Sequence, residues 1–451
     1  MHRLVDKLKD KKNRFDTSKD RIFIGIYEVS GVYARLNQAF RENKLKSDFI
    51  EVEEHRYGYR KNSEQRYSII QLLWRKSYQF RSSTPKSNLI KKVFSIFLNN
   101  FMGICMVLDI SIRYKVIIFS YGISFFSNKW DLRLFNLLNK IIVFPFTGSD
   151  SRPPYISIKN YRNKLSDMDY IFSETFKLKE NLDLIEKYAT YLINVPPQSQ
   201  MLTRDFIDFV KIGQIADFPQ LENLNEDISS FSAKDDLIVA LHAPTDRRYK
   251  GTEEIIRIVE NIKERGVNLE LRIIENKKNI EVLHALKNCD FIIDSLNSDA
   301  AVGQIGIEGA FFKKPSVLSG MYSSDIDNFY DHEEKIPSMY VLLEEVEDAI
   351  FKMATDKDFR RELGKKAHSF ITQKWNSKRV VNNYIQLFRG QFPSEWYTSP
   401  SSISHIFGDL EENMATELLT KYTQIYGLDG LLLDDKPRLK EKFHRFINDC
   451  K

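Results

Sequence analysis

The chain is predicted to be an α/β protein of two domains, each a parallel sheet covered by helices. Three observations predict this. The length of 451 residues is too great for one ordinary core and suits domains of roughly 150 to 220 residues. Short apolar runs alternate with helical stretches. A polar break follows residue 218, and beyond it the same alternation starts again.

RIFIGIY (21–27) is apolar, β-branched and aromatic, so it reads as a first strand; EVSG breaks it and an amphipathic helix follows over 32–43. SDFIEVE, KVIIFS, KIIVFPF, DYIFSE and YLINV predict further strands of a first domain over 21–218. Residues 219–236, PQLENLNEDISSFSAKDD, have the Asn, Ser and Asp content of a linker. A second domain over 237–372 then runs DLIVALH, a helix over 253–265, LELRII, a helix over 281–287, FIIDSL, another helix, PSVLSG and MYVLL. Residues 344–388 read as helical, with a helix at 373–390 returning toward the first domain. In the remaining tail, 391–451, GLDGLLLDDKP separates two more helices. Two such domains turn the carboxyl ends of their strands to a common cleft, where open parallel sheets bind ligands.

Composition narrows the class. Hydrophobic residues at 42% and charged residues at 29% exclude collagen-like and fully disordered chains. The most apolar stretch, 94–112, is interrupted by Asn99, Asn100 and Asp109, which argues against a spanning helix. Residues 1–20 are charged throughout and do not read as a secretory signal, so a cytoplasmic protein is expected. Cys105, Cys289 and Cys450 lack metal-ligand spacing and read as reduced thiols. No HExxH, paired CxxC or GxxxxGK[ST] occurs, so neither a metal nor a resident cofactor is expected.

A net charge of +5 is weak support for a nucleic-acid partner. The charge is uneven, however: residues 65–108 contain no Asp or Glu, but do contain Arg66, Arg75, Lys76, Arg81, Lys86, Lys91 and Lys92. Phe94, Phe97, Leu98, Phe101, Ile104, Cys105 and Leu108 follow at helical spacing. Three readings stand: a helix facing the core behind a solvated basic loop, an amphipathic segment on an anionic membrane surface at its inner, cytoplasmic face, or a contact with an anionic polymer.

Residues 241–256, LHAPTDRRYKGTEEII, leave a buried strand and cross a loop with Arg247, Arg248 and Lys250. They turn at Gly251 and enter a helix with Thr252 as its expected N-cap. Free N–H groups and the positive end of the helix dipole, joined by Arg and Lys, favour an anion such as a diphosphate. A solvated surface loop is the other reading. Residues 302–320, VGQIGIEGAFFKKPSVLSG, place Gly303, Gln304 and Gly306 at a helix start, where backbone can approach a ligand. Glu308 could accept two hydrogen bonds from a ribose diol or simply complement the helix dipole. His242 could approach the diphosphate or cap the loop. Asp109, Asp131 and Asp294 could serve as acids or bases, although carboxylates at strand ends more often accept from backbone N–H groups.

These two segments, in this order and about 50 residues apart, resemble the donor site of glycosyltransferases with the GT-B fold, particularly retaining family 4. The resemblance extends over most of 21–390: EVSGVYARLNQAF is similar to the family's first loop, and KIIVFPFTGSDSR to the FHGSD-R pattern of polysaccharide-assembling members. It implies two Rossmann-like domains and metal-independent transfer from a nucleoside diphosphate sugar to a glycan or lipid-linked hydroxyl. Arg247 and Lys250, with Gly251 and Thr252, would then hold the diphosphate, Glu308 the ribose, and Gly31 would approach phosphates and sugar. Thr147, Gly148, Ser149, Asp150 and Arg152 would line the acceptor side. Two positions depart from the family: Ala300 stands eight residues before Glu308 where a Glu is usual, leaving Asp299 as the nearest carboxylate and the candidate catalytic group in its place, and Thr147 replaces a His. Those departures leave room for a catalytically silent protein that binds glycan or a partner enzyme. A periplasmic-type binding protein fits less well.

Overall fold

The computed structural model describes residues 15–53, 57–58, 67–218 and 237–449. The linker 219–236 and the segment 1–14 lie outside the described residues. Among the described residues are two sheets, as the alternation predicts. The first contains β1 (Arg21–Ile26), β2 (Lys46–Glu51), β3 (Val116–Phe119), β4 (Ile141–Pro145), β5 (Tyr191–Asn194) and β6 (Phe206–Asp208). The second contains β7 (Ile238–His242), β8 (Leu269–Ile273), β9 (Phe291–Ile293), β10 (Ser316–Ser319) and β11 (Met339–Val341). A last strand, β12 (Tyr397–Thr398), joins the first sheet.

The first sheet runs β12-β6-β5-β4-β3-β1-β2 and the second β11-β10-β9-β7-β8. Every pairing is parallel except β12 with β6. Burial on both faces explains the near-continuous apolar runs of β1, β3 and β4, whose interiors lie wholly in the core. The helix Ser377–Arg389 lies against the first half, where Tyr384 meets Phe40 edge-to-face at 5.7 Å between ring centres.

The tail belongs to this scaffold. Its helices Glu412–Tyr426 and Pro437–Asp449 bury Leu418, Tyr422 and Phe443 against Tyr155, Ile156 and Ile171, and Tyr426 stacks on Phe172 at 4.3 Å.

Three sequence expectations are corrected. DYIFSE is not a strand: it lies inside the helix Met168–Tyr188, which begins where the Asp167 carboxylate accepts the Tyr170 N–H at 3.0 Å. A helix buried on one face carries the same Tyr, Ile and Phe as a strand. Thr252 is the first residue of its helix, and Gly251 takes the N-cap position with φ of 71°. The apolar face of Leu89–Arg113 is not turned to the core: Phe94, Phe97, Phe101, Ile104 and Leu108 are exposed, and the opposite face is buried. By length and composition this is the one helix among the described residues able to cross a membrane.

Candidate donor cavity and interdomain ion cluster

A cavity of about 250 Å³ opens between the two halves. Ser30 and Tyr57 line it from the first; Lys250, Asp294, Gln304 and Glu308, with Asn276 and Asn279, line it from the second. The backbone N–H of Asn279 donates to the carbonyl of Tyr57 at 3.0 Å, joining the two walls.

The cation at its floor comes from local folding. Asp246 accepts from the N–H groups of Arg248 and Tyr249, which winds Arg247–Lys250 into a single helical turn. Gly251 then reverses the chain with a positive φ, and a Cβ there would lie 2.8 Å from Leu296. Lys250 Nζ consequently donates to Asp294 Oδ1 at 2.9 Å. Asp294 also accepts the N–H of Gly303 at 3.0 Å, so it anchors both the lysine and the start of the helix Gln304–Phe311. This close approach requires glycine, because a Cβ on residue 303 would fall 2.2 Å from Asp294 Oδ2. Gly303→Ala should therefore displace Asp294 and weaken nucleoside diphosphate binding by about tenfold, or ~1.4 kcal/mol, as read by isothermal titration.

Glu308 is buried on the same wall and takes hydrogen bonds from Asn279 Nδ2 and Gln304 Nε2, both at 3.3 Å. Burial raises its pKa, opposed by Arg35, whose Nη1 lies 3.7 Å from Oε1. Arg35 also donates from Nη2 to the carbonyl of Ser30 at 2.9 Å. One guanidinium thus holds both the first loop, where Gly31 caps the helix Val32–Glu42 at φ of 77°, and the acid across the cavity.

Other predicted residues lie elsewhere. Arg247 does not line the cavity; it bridges Glu253 at 2.9 Å and Glu275 at 3.0 Å. His242 is fully buried, with Nδ1 2.7 Å from the carbonyl of Ile293 and Nε2 2.9 Å from Thr252 Oγ1. The carbonyl can only accept, so Nδ1 carries the proton and Nε2 receives the Thr252 hydroxyl. Burial pushes the imidazole pKa down to about 4, keeping it neutral. His242 and Thr252 therefore bind each other rather than reach into the cavity.

Asp299 is held at a different junction. Arg152 Nε donates to its Oδ2 at 2.6 Å and Nη2 to Oδ1 at 2.7 Å, with Gln198 Nε2 at 3.1 Å from the same Oδ1. The third arm, Nη1, donates to Asp409 of the tail at 2.7 Å. Burial would raise Asp299, but the guanidinium outweighs it and holds the carboxyl low. Asp409, buried beside a second carboxylate, is pushed up to about 6. Three segments meet on Arg152: the loop after β4, the loop after β9 and the tail.

On the β4 loop itself, Asp150 accepts the Thr147 N–H at 2.9 Å, and burial pushes its pKa up to about 6. The carbonyl of Gly148 receives the N–H of Arg152 at 3.0 Å. Ser149 is exposed, with Oγ 2.8 Å from Tyr121 OH. The Thr147 hydroxyl oxygen is buried without a partner. Asp131 accepts from the Phe125 N–H and Asp109 pairs with Arg113. No metal-binding group of three His, Cys, Asp or Glu occurs among the described residues.

Sequence reasoning missed Arg35, Tyr57, Asn276 and Asn279 as site residues. Arg35 had a usable signal: it is an arginine on the helix immediately after the glycine turn.

No protein-family model matches the sequence, and no curated protein does. Among solved structures, the chain is similar to Anabaena HepE in complex with UDP and glucose. That likeness has 10% identity and a TM-score of 0.45, covering 82% of this chain and all of that one. A glycosyltransferase from Rickettsia africae ESF-5 is similar at 12% identity and a TM-score of 0.44, with 83% and 98% covered. The UDP-GlcNAc 2-epimerase of Methanocaldococcus jannaschii, in complex with UDP-GlcNAc and UDP, is similar at 11% identity and 0.37, with 79% and 99% covered.

Proposed function

We propose that the chain is a GT-B glycosyltransferase moving a sugar from a nucleoside diphosphate donor to a hydroxyl of a lipid-linked oligosaccharide or surface polysaccharide in the cytoplasm. The observation that carries this is the cavity in which an anchored cation, Lys250, and a buried acid, Glu308, share the carboxyl-terminal edge of the second sheet with the first loop of the other half. A nucleoside diphosphate suits this pair of unlike groups in one cavity: a cation for the phosphates and a carboxylate for the ribose diol.

As the sugar's bond to the diphosphate breaks, negative charge grows on the leaving oxygens. A fixed ammonium group then stabilises the transition state more than the ground state. Lys250 supplies it directly. Arg247 adds a second cation once the diphosphate displaces its exposed bridges to Glu253 and Glu275, surface pairs that solvent screens and that are weak for that reason. In this reading Glu308, with Arg35 opposing the upward push of burial, accepts from the ribose. Retention follows from the family 4 resemblance: the leaving diphosphate takes the acceptor's proton as the same face of the sugar is attacked. On the acceptor side the exposed Ser149 would meet the acceptor, while Thr147, Gly148, Asp150 and Arg152 hold the loop that presents it. Asp299, already held through both oxygens, acts as a positioning group.

That engagement of Asp299, together with Ala300 and Thr147, supports a second reading, a silent GT-B module that binds glycan or a partner enzyme. Incubation with UDP- and GDP-sugars separates the two. Release of nucleoside diphosphate is expected for the transferase. Binding without release selects the silent module, and no binding overturns the transferase.

A further inference from the structure

The hairpin of helices Ile69–Ser83 and Leu89–Arg113 buries Trp74 but turns a row of other large apolar side chains outward. Ile90 and Ile112, near opposite ends of the second helix, are 87% and 83% exposed, and Phe97, Phe101 and Leu108 between them are each more than half exposed. Steps of seven, four, seven and four residues set these five along one stripe. Ile69 extends the surface onto the first helix. Scattered apolar residues are normal on a protein surface, but a continuous stripe of this length marks an interaction site.

Charge identifies what covers it. Over residues 67–113 the single carboxylate is Asp109, and Arg113 pairs with it. Arg75, Lys76, Arg81, Lys86, Lys91 and Lys92 carry six unopposed positive charges in sequence around the stripe. A second copy would bring the same six charges against them. An anionic bilayer offers both complements: phosphate for the basic rim and acyl depth for the stripe.

We propose that this hairpin seats the protein in the plane of an anionic membrane surface, with the stripe sunk at the headgroup boundary. The second helix lies along the membrane and does not cross it. Its other face, with Met102, Met106 and Ile110 buried, is part of the core that holds Phe23 and Phe119 of the first sheet. Spanning would strip that face from the sheet. The inference stands on this surface alone and is independent of the transfer chemistry.

Flotation of the full chain with phosphatidylcholine vesicles, with and without 30% phosphatidylglycerol, tests it. Binding is expected with the anionic vesicles, and it should fall as salt rises. Lys76→Gln with Lys86→Gln should weaken it about 30-fold, since each surface cation is worth ~1 kcal/mol. Phe97→Glu with Phe101→Glu should abolish it; both sites are exposed, so the melting temperature and any nucleoside diphosphate shift should be unchanged. Equal binding to neutral and anionic vesicles, or no flotation, overturns the proposal. Self-association lost in the Phe97→Glu, Phe101→Glu variant without vesicle binding overturns it in favour of a second copy. Resistance to alkaline carbonate extraction overturns it in favour of a spanning helix.

Discussion

Replacing Lys250 by alanine is expected to abolish most of the thermal stabilisation that a nucleoside diphosphate gives the protein. Ligand that binds only the folded state raises apparent stability by mass action, so the shift reports affinity. Lys250 lines the cavity and is fixed there by Asp294. A hydrogen bond to a charged group is worth ~1.5–3 kcal/mol, so its removal should weaken binding about 10- to 100-fold. The loss should fall on the diphosphate: the nucleoside alone should bind wild type and variant alike. Arg247→Ala should cost less, because Arg247 must first leave Glu253 and Glu275. The variant itself should fold, since Lys250 is partly exposed, although Asp294 then keeps only the Gly303 N–H. An unchanged nucleotide shift in Lys250→Ala would place the nucleotide elsewhere and remove the main support for transfer.

How far the sequence reaches depends on the range of the interaction that decides each feature. Most strands of both sheets were legible because a central parallel strand is apolar on both faces, and β1, β3, β4, β7, β9 and β10 match their predicted runs. β6 and β12 have only three and two residues and pair with each other in the first sheet although all of the second sheet lies between them in sequence, so nothing local announces them. DYIFSE was misread because Tyr170, Ile171 and Phe172 satisfy either period, and the deciding signal, Asp167 as a cap, lies outside the apolar run. Periodicity located the Leu89–Arg113 stripe but could not assign its side. The richer Phe and Ile face suggested the core, whereas the protein buries the Met and Ser face. Within the phosphate segment, composition treated Arg247 and Lys250 as equals. One helical turn separates their fates, sending Lys250 to Asp294 and Arg247 to Glu275. The partner of Asp299 was legible only as a neighbouring motif, since Arg152 lies 147 positions away in sequence.

Arg152→Met should produce the largest loss of stability. The guanidinium lies between Asp299, which is buried, and Asp409, which is partly buried, so deleting it removes the cation that pairs with both. Breaking a buried pair by removing one partner costs ~3–5 kcal/mol, and the apparent melting temperature should drop on the order of 10 °C. Acid should partly reverse the deficit, and the sign follows from proton counts. In wild type Asp299 is held low, so its contribution is present above the ordinary carboxylate range and is lost as pH falls through the folded value. In the variant, burial acts on Asp299 against only the Gln198 hydrogen bond and His405 and raises its pKa, so between the unfolded and folded values the native state binds more protons than the unfolded chain. Its stability then rises as pH falls. Asp409, already at about 6 with Arg152 present, moves the same way. The difference in melting temperature between variant and wild type should therefore narrow from pH 7.5 to pH 5.5. Arg152→Met combined with Asp409→Asn should recover part of the loss at pH 7.5, because one of the stranded charges is gone. Calorimetric scans at the two pH values check both outcomes. A deficit that widens on acidification would mean that Asp299 and Asp409 escape to solvent when Arg152 is removed, and that the loops after β4 and β9 are joined by something other than this ion cluster.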